Sequence, residues 1–166
     1  MFVGRERELA TLERLYRSDA FQMPVVYGRR RVGKTSLIVE FVKGKPAIFF
    51  SARESTAKEN LVALSQAIAD LRLDGTPVAS DTAAPVFASF EEAFTHVFML
   101  AQQQRIVFVI DEFPYLAQSD RSVSSVLQHL IDRRKENSRL FLILCGSSMS
   151  FMEHQVLGYK SPLYGR

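Results

Sequence analysis

Gly28, Gly33, Lys34 and Thr35 stand at the spacing G-x-x-x-x-G-K-[ST]. Each residue type has a task in gripping a polyphosphate. Glycines keep Cβ atoms out of the way, so successive backbone N–H groups can turn inward on an anion. A helix opening directly behind the loop adds the positive end of its dipole. Lys34 supplies a point charge for the outer phosphates, and the Thr35 hydroxyl is a ligand for Mg²⁺. Ser36 and the intervening Arg29, Arg30, Arg31 and Val32 complete the phosphate-binding stretch. A backbone cradle does not require the three arginines. They either offset phosphate charge, face a partner or neighbouring subunit, or are simply solvated.

A second group is Asp111-Glu112, which closes the apolar run Ile106 to Ile110. A buried strand ending in a carboxylate is the Walker B pattern. Ligands of open parallel sheets bind at the carboxyl ends of strands, so Asp111 is expected beside the loop, sharing Mg²⁺ with Thr35. Glu112 is placed to polarise an attacking water as general base. On its own, an acidic pair after a strand reads first as a cap or loop opening, and its coupling to the phosphate loop earlier in the chain turns the reading to function. The third group is Leu144-Cys145-Gly146-Ser147-Ser148, a strand that ends in small polar residues. A hydroxyl there is placed to touch the γ-phosphate or orient the water, and the plain alternative is a helix N-cap at Ser147 or Ser148.

Positioning these groups requires strands that end at one edge. Met23 to Tyr27, Ala47 to Phe50, Ile106 to Ile110 and Leu140 to Cys145 are short and continuously apolar. Helical periodicity marks Glu6 to Arg17, Lys34 to Val42 and Ser122 to Asn137. Two capping boxes, Thr56-Ala57-Lys58-Glu59 and Ser89-Phe90-Glu91-Glu92, open two more helices. The segment 74–88 reads as a loop, and Ser148 to Val156 as a short helical segment. Apolar strands alternating with amphipathic helices predict an α/β fold with a parallel sheet covered on both faces.

Composition narrows the rest. The chain has 166 residues, 47% of them hydrophobic with thirteen Phe, enough for one domain with a real core. A net charge of +3 is too weak to imply nucleic-acid binding by itself. The cluster Arg133-Arg134-Lys135 suits a solvated helix C-terminus. No apolar run approaches the length of a membrane span, and charged residues stand where a signal peptide needs apolar ones. The single Cys145 cannot form an internal disulfide and reads as a small buried hydrophobe; the expected location is the cytoplasm. His96, His129 and His154 lack metal-ligand spacing and read as structural. The chain carries no Asn-Lys-x-Asp run for guanine, which favours ATP over GTP.

With these residues in view, the start Phe2-Val3-Gly4-Arg5-Glu6-Arg7-Glu8-Leu9 resembles the hydrophobic-Gly-Arg-Glu motif of AAA+ and STAND ATPases. Together with Gly28 to Thr35, Asp111-Glu112, Cys145-Gly146-Ser147-Ser148 and the final Ser161-Pro162-Leu163-Tyr164-Gly165-Arg166, it looks like the archaeal-type ATPase branch of the STAND P-loop NTPases. The resemblance implies a P-loop NTPase three-layer sandwich of the additional-strand type, with the fourth strand inserted between the phosphate-loop strand and the Asp-Glu strand. It also implies ATP or ADP with Mg²⁺, Val3, Gly4 and Arg5 near the adenine, Ser147 near a sensor position, and Arg166 facing the nucleotide or a neighbour. Arg29 stands where the family leads one to expect proline.

Family members continue with a fifth strand, a helical lid and often a winged-helix or nuclease-like region. Residues 1–166 are therefore read as the N-terminal portion of an ATPase core, without fifth strand or lid. That leaves the phosphate-loop strand at an exposed edge and predicts homo-oligomers or edge-strand association. The expected function is Mg²⁺-dependent ATP hydrolysis coupled to a C-terminal effector or partner. The alternative is a nucleotide-gated binding module, for a partner or for DNA through a further C-terminal region, with little turnover. A small-molecule kinase is a weaker third reading, because no arginine-rich lid is recognisable.

Overall fold

The computed structural model describes residues 5–28, 33–71, 84–147 and 151–156, excepting the side chains of 154 and 155. In chain order the elements are α1 (Glu6–Arg17), β1 (Val25–Tyr27), α2 (Lys34–Val42), β2 (Ala47–Ser51), α3 (Ala57–Ala69), α4 (Phe90–Gln103), β3 (Ile106–Asp111), α5 (Phe113–Ser119), α6 (Val123–Arg134) and β4 (Leu140–Gly146). A single 3₁₀ turn, Lys135–Asn137, follows α6, and Met152–Val156 forms a short wide helical turn after β4. No helix among the described residues is long and apolar enough to cross a membrane.

The strands make one parallel sheet in the order β1-β4-β3-β2. The fourth strand thus lies between the phosphate-loop strand and the Asp-Glu strand, as expected, and β1 is an edge strand of the described sheet. Strand alternation divides the core into two layers. Ile106, Phe108 and Ile110 of β3 and Leu140, Leu142 and Leu144 of β4 pack under α3, α4, α5 and α6. Val107, Val109, Phe141, Ile143 and Cys145 face α1 and α2, where Phe41, Phe141 and Tyr16 form a ring cluster with centroids 5.3–5.8 Å apart. Three layers result: α1 and α2, the sheet, and the four remaining helices.

Local chemistry sets the boundaries. Thr56 and Ser89 each accept a hydrogen bond from the backbone N–H of the glutamate three residues on, Glu59 and Glu92, at 3.1 Å. Glu92 reaches back to the N–H of Ala88 at 3.1 Å and closes its box one residue earlier than the usual pattern. Gly44, at φ +77°, turns the chain out of α2.

Two expectations need correction. The strand expected from Met23 begins at Val25. Pro24 has no N–H to donate, although its carbonyl still accepts from Leu144 at 3.2 Å. The helix expected to Asn137 ends at Arg134, its last turn tightening to 3₁₀. Helix α5 was unassigned from sequence. Pro114 falls in its first turn, where a missing N–H costs nothing.

The amino ends of the strands are fastened by Arg105. It is 9% exposed, and its Nη1 donates to the carbonyls of Ala20 and Arg139. Its Nη2 donates to Tyr16 at 3.1 Å and Leu15 at 3.4 Å. The guanidinium lies 5.1 Å from the Tyr16 ring and 5.3 Å from the Phe141 ring. Its Nε is buried without a partner among the described residues. Burial lowers the Arg105 pKa and raises that of the Tyr16 hydroxyl.

Candidate functional site: the carboxyl edge of the sheet

The sheet register decides which side chains meet. Tyr27 pairs with Gly146, Ile110 with Leu144, and Ser51 with Asp111, so the four strands end nearly level. The segments that follow them, from Gly28, Ser147, Glu112 and Ala52, therefore share one rim.

Gly33 forms the N-cap of α2 at φ +87°, in the left-handed region that a side chain would strain. A Cβ built there would meet only the Arg5 Nε at 3.8 Å and Nη2 at 4.0 Å, so the backbone angle and not crowding selects glycine. The same distances bring Arg5 from the start of α1 to the phosphate-loop helix. Arg5 also approaches Glu8, at 3.8 Å. Lys34 is 6% exposed, and its ammonium donates to the Gly28 carbonyl at 2.9 Å. The loop is closed across itself by the side chain expected to hold phosphate. Thr35 and Ser36 are exposed in the first turn of α2.

Thr35 Oγ1 donates to Asp111 Oδ2 at 3.3 Å, across 76 residues of sequence. The other oxygen of Asp111 accepts from the backbone N–H of Glu112 at 2.9 Å. Asp111 is 8% exposed. Cys145 is a third neighbour. Burial, then the adjacent Asp111 charge, pushes its thiol pKa far up. Cys145 is thus more than a core filler and is inert as a nucleophile.

Glu112 sits at φ +56°, ψ +45°, a left-handed conformation that costs a non-glycine residue on the order of 1 kcal/mol. The turn aims its carboxylate at β4, where Ser147 Oγ lies 3.1 Å from Oε1 and 3.2 Å from Oε2 and donates to the carboxylate. Gly146 allows this approach. A Cβ there would lie 2.8 Å from Pro114 Cδ and 2.9 Å from Met152 Sδ.

The rim therefore brings together Gly28, Gly33, Lys34, Thr35, Asp111, Glu112 and Ser147, with Arg5 beside Gly33. Val3, Gly4, Arg29, Arg30, Arg31, Val32, Ser148 and Arg166 lie outside the described residues. His96 packs at a tilt against Phe87 with centroids 5.4 Å apart, and His129 is exposed on α6. The thiol of Cys145 and the fit of Gly146 against Pro114 escaped sequence reading; the parity of β4 against β3 was the signal that could have found the first.

The oxygen set of Thr35 and Asp111 suits a hard cation such as Mg²⁺, which takes few protein ligands and completes its shell with phosphate and water. A groove of about 380 Å³ runs between α1 and β1, lined by Arg5, Leu12, Val26, Tyr27 and Leu37 among others.

A family model described as an ATPase domain predominantly from Archaea matches residues 2–166. An uncharacterized protein of Methanocaldococcus jannaschii, MJECL04, is 34% identical over all 166 residues, which make up 34% of its length. The Walker-type ATPase PABY2304 of Pyrococcus abyssi superposes with a TM-score of 0.72 at 23% identity, covering 99% of this chain and 51% of that one. The Orc1 protein of Aeropyrum pernix, solved in complex with DNA, gives 0.63 at 18% identity, covering 100% and 44%. The chain thus spans about a third to a half of the length of these relatives.

Proposed function

The chain belongs to the ATPase-domain family found predominantly in Archaea, and on that premise we propose that it binds ATP with Mg²⁺, hydrolyses it, and passes the nucleotide state to an effector or partner region. The observation that carries this reading is the 3.3 Å contact of Thr35 with Asp111, which unites the phosphate loop and the acidic strand end at one point of the rim. Mg²⁺ held by these two residues would supply charge neutralisation for the transferred phosphoryl group. Lys34 takes the outer phosphates. Its bond to the Gly28 carbonyl is a stand-in for an anion contact, since an ammonium donates equally well to a phosphate oxygen.

Glu112 is the general base. The Ser147 hydroxyl donates to its carboxylate, which fixes the direction a base needs. Arg5, with Val3 and Gly4 before it, borders the nucleotide from the side of α1, and Arg166 serves as the arginine element expected of the family. The base is adenine, as the chain lacks the guanine-recognition run. The protein acts in the cytoplasm, and association of copies along β1 accompanies this reading.

The test is turnover by the full-length protein. Glu112→Gln should retain ATP binding and lose about 10²- to 10⁴-fold in hydrolysis. Hydrolysis at the wild-type rate in that variant would remove Glu112 from its role. A wild-type protein that binds ATP but never turns it over would favour a nucleotide-gated binding module for a partner or DNA.

A further inference from the structure

The rim continues past Asp111 on its other side, onto the segment after β2. Ser51 is in register with Asp111, and the ladder extends one residue further, with Ala52 N–H donating to the Asp111 carbonyl at 2.9 Å. Side chains alternate through this stretch. Ile48, Phe50 and Ala52 are buried in the layer of α3 and α4, whereas Ala47 and Phe49 pack with Val107 and Val109 under α1 and α2. The same parity assigns Ser51 and Arg53 to the face of the sheet that carries α2, the phosphate loop and Asp111. Both are exposed.

Arg53 is also held in place. Asn60, near the start of α3, is 1% exposed, and both ends of its amide are spent on the Arg53 backbone. Asn60 Oδ1 accepts from the Arg53 N–H at 3.0 Å, and Asn60 Nδ2 donates to the Arg53 carbonyl at 3.1 Å. A buried amide that mimics a strand partner is a costly way to fix one residue of a connecting loop unless its position matters. The segment 51–53 is pinned by β3 on one side and by Asn60 on the other. Among the described residues the Arg53 side chain forms no ion pair, although two carboxylates stand on the adjoining strand end.

We propose that Arg53 reads the terminal phosphate of a bound nucleoside triphosphate, and that this contact sets the preference for triphosphate over diphosphate. The inference rests on the nucleotide-binding reading of the rim. Lys34 approaches the anion from the loop side. Arg53 approaches from the far side of Asp111, where the outermost phosphate projects and where a fork of N–H donors matches its oxygens. A diphosphate leaves that position empty, so the contact contributes to one ligand and not the other.

The experiment compares Mg²⁺-ADP with a non-hydrolysable Mg²⁺-ATP analogue by calorimetric titration of the full-length protein. Arg53→Ala should weaken the triphosphate analogue about 10- to 100-fold and leave ADP unchanged, with Arg53→Lys intermediate. Lys34→Ala is the reference and should weaken both. Loss of both nucleotides to the same degree in Arg53→Ala, or loss of neither, would overturn the assignment while Lys34→Ala still showed the site to be real. Failure of the wild-type protein to bind either nucleotide would instead overturn the reading on which it rests. Circular dichroism melts confirm that the variants are folded.

Discussion

Two buried cations lie at opposite ends of the same parallel sheet and are satisfied in different ways. Lys34, at the carboxyl edge, donates to the Gly28 carbonyl, which belongs to the same loop. Arg105, at the amino edge, collects carbonyls from Leu15, Tyr16, Ala20 and Arg139 and rests against two aromatic rings. The ammonium is compact and its bond to the Gly28 carbonyl is local, so that bond can be exchanged for a ligand without disturbing the fold. The guanidinium joins the end of α1, the segment after it, and the residue that leads into β4. Burial and charge are alike at the two ends; what makes Arg105 a clamp is that its carbonyl partners come from several segments.

Substitutions at the two ends should separate accordingly. Lys34→Ala should reduce ATP affinity by about a hundredfold or more, with a melting temperature close to wild type, measured by titration and calorimetry. Loss of fold in that variant would break the comparison, because the lysine would then be structural as well. Arg105→Ala leaves several carbonyls short of a donor and opens space between Tyr16 and Phe141. It should cost about 2–4 kcal/mol in chemical denaturation, while ATP affinity of the folded fraction holds. Gly146→Ala tests whether packing, as well as hydrogen bonding, shapes the carboxyl edge. The methyl group can push the flexible Met152 aside, but the Pro114 ring is tied to the backbone next to Glu112. Stability should fall by about 1–3 kcal/mol, and turnover should fall beyond what the lost stability explains. A variant with full turnover would show that Glu112 keeps its aim without this contact.

The residues of the candidate site announce themselves in the sequence. Gly28 to Thr35 carry their chemistry in local spacing, and Asp111-Glu112 announce themselves by ending an apolar run. The order of the strands followed from the resemblance, and the helix starts at Thr56 and Ser89 from capping chemistry that spans four residues. What stayed hidden depends on register. Cys145 meets Asp111 because Ile110 pairs with Leu144, a fact no single segment encodes. Nothing in the sequence around Arg105 marks it out, and only the folded chain shows four carbonyls around it. Helix α5 was missed because Pro114 signals a break in most places and a start only in a first turn.

Helix α1 touches both ends of this contrast. Its 12 residues make a rod of about 18 Å, with Arg5 at the Gly33 end and the carbonyls of Leu15 and Tyr16 held by Arg105 at the other. Arg105 fastens one end of the rod, and the other end only approaches Gly33. The rod is thus a lever in outline, gripped by its last carbonyls at Arg105 and ending beside Gly33 at its other arm.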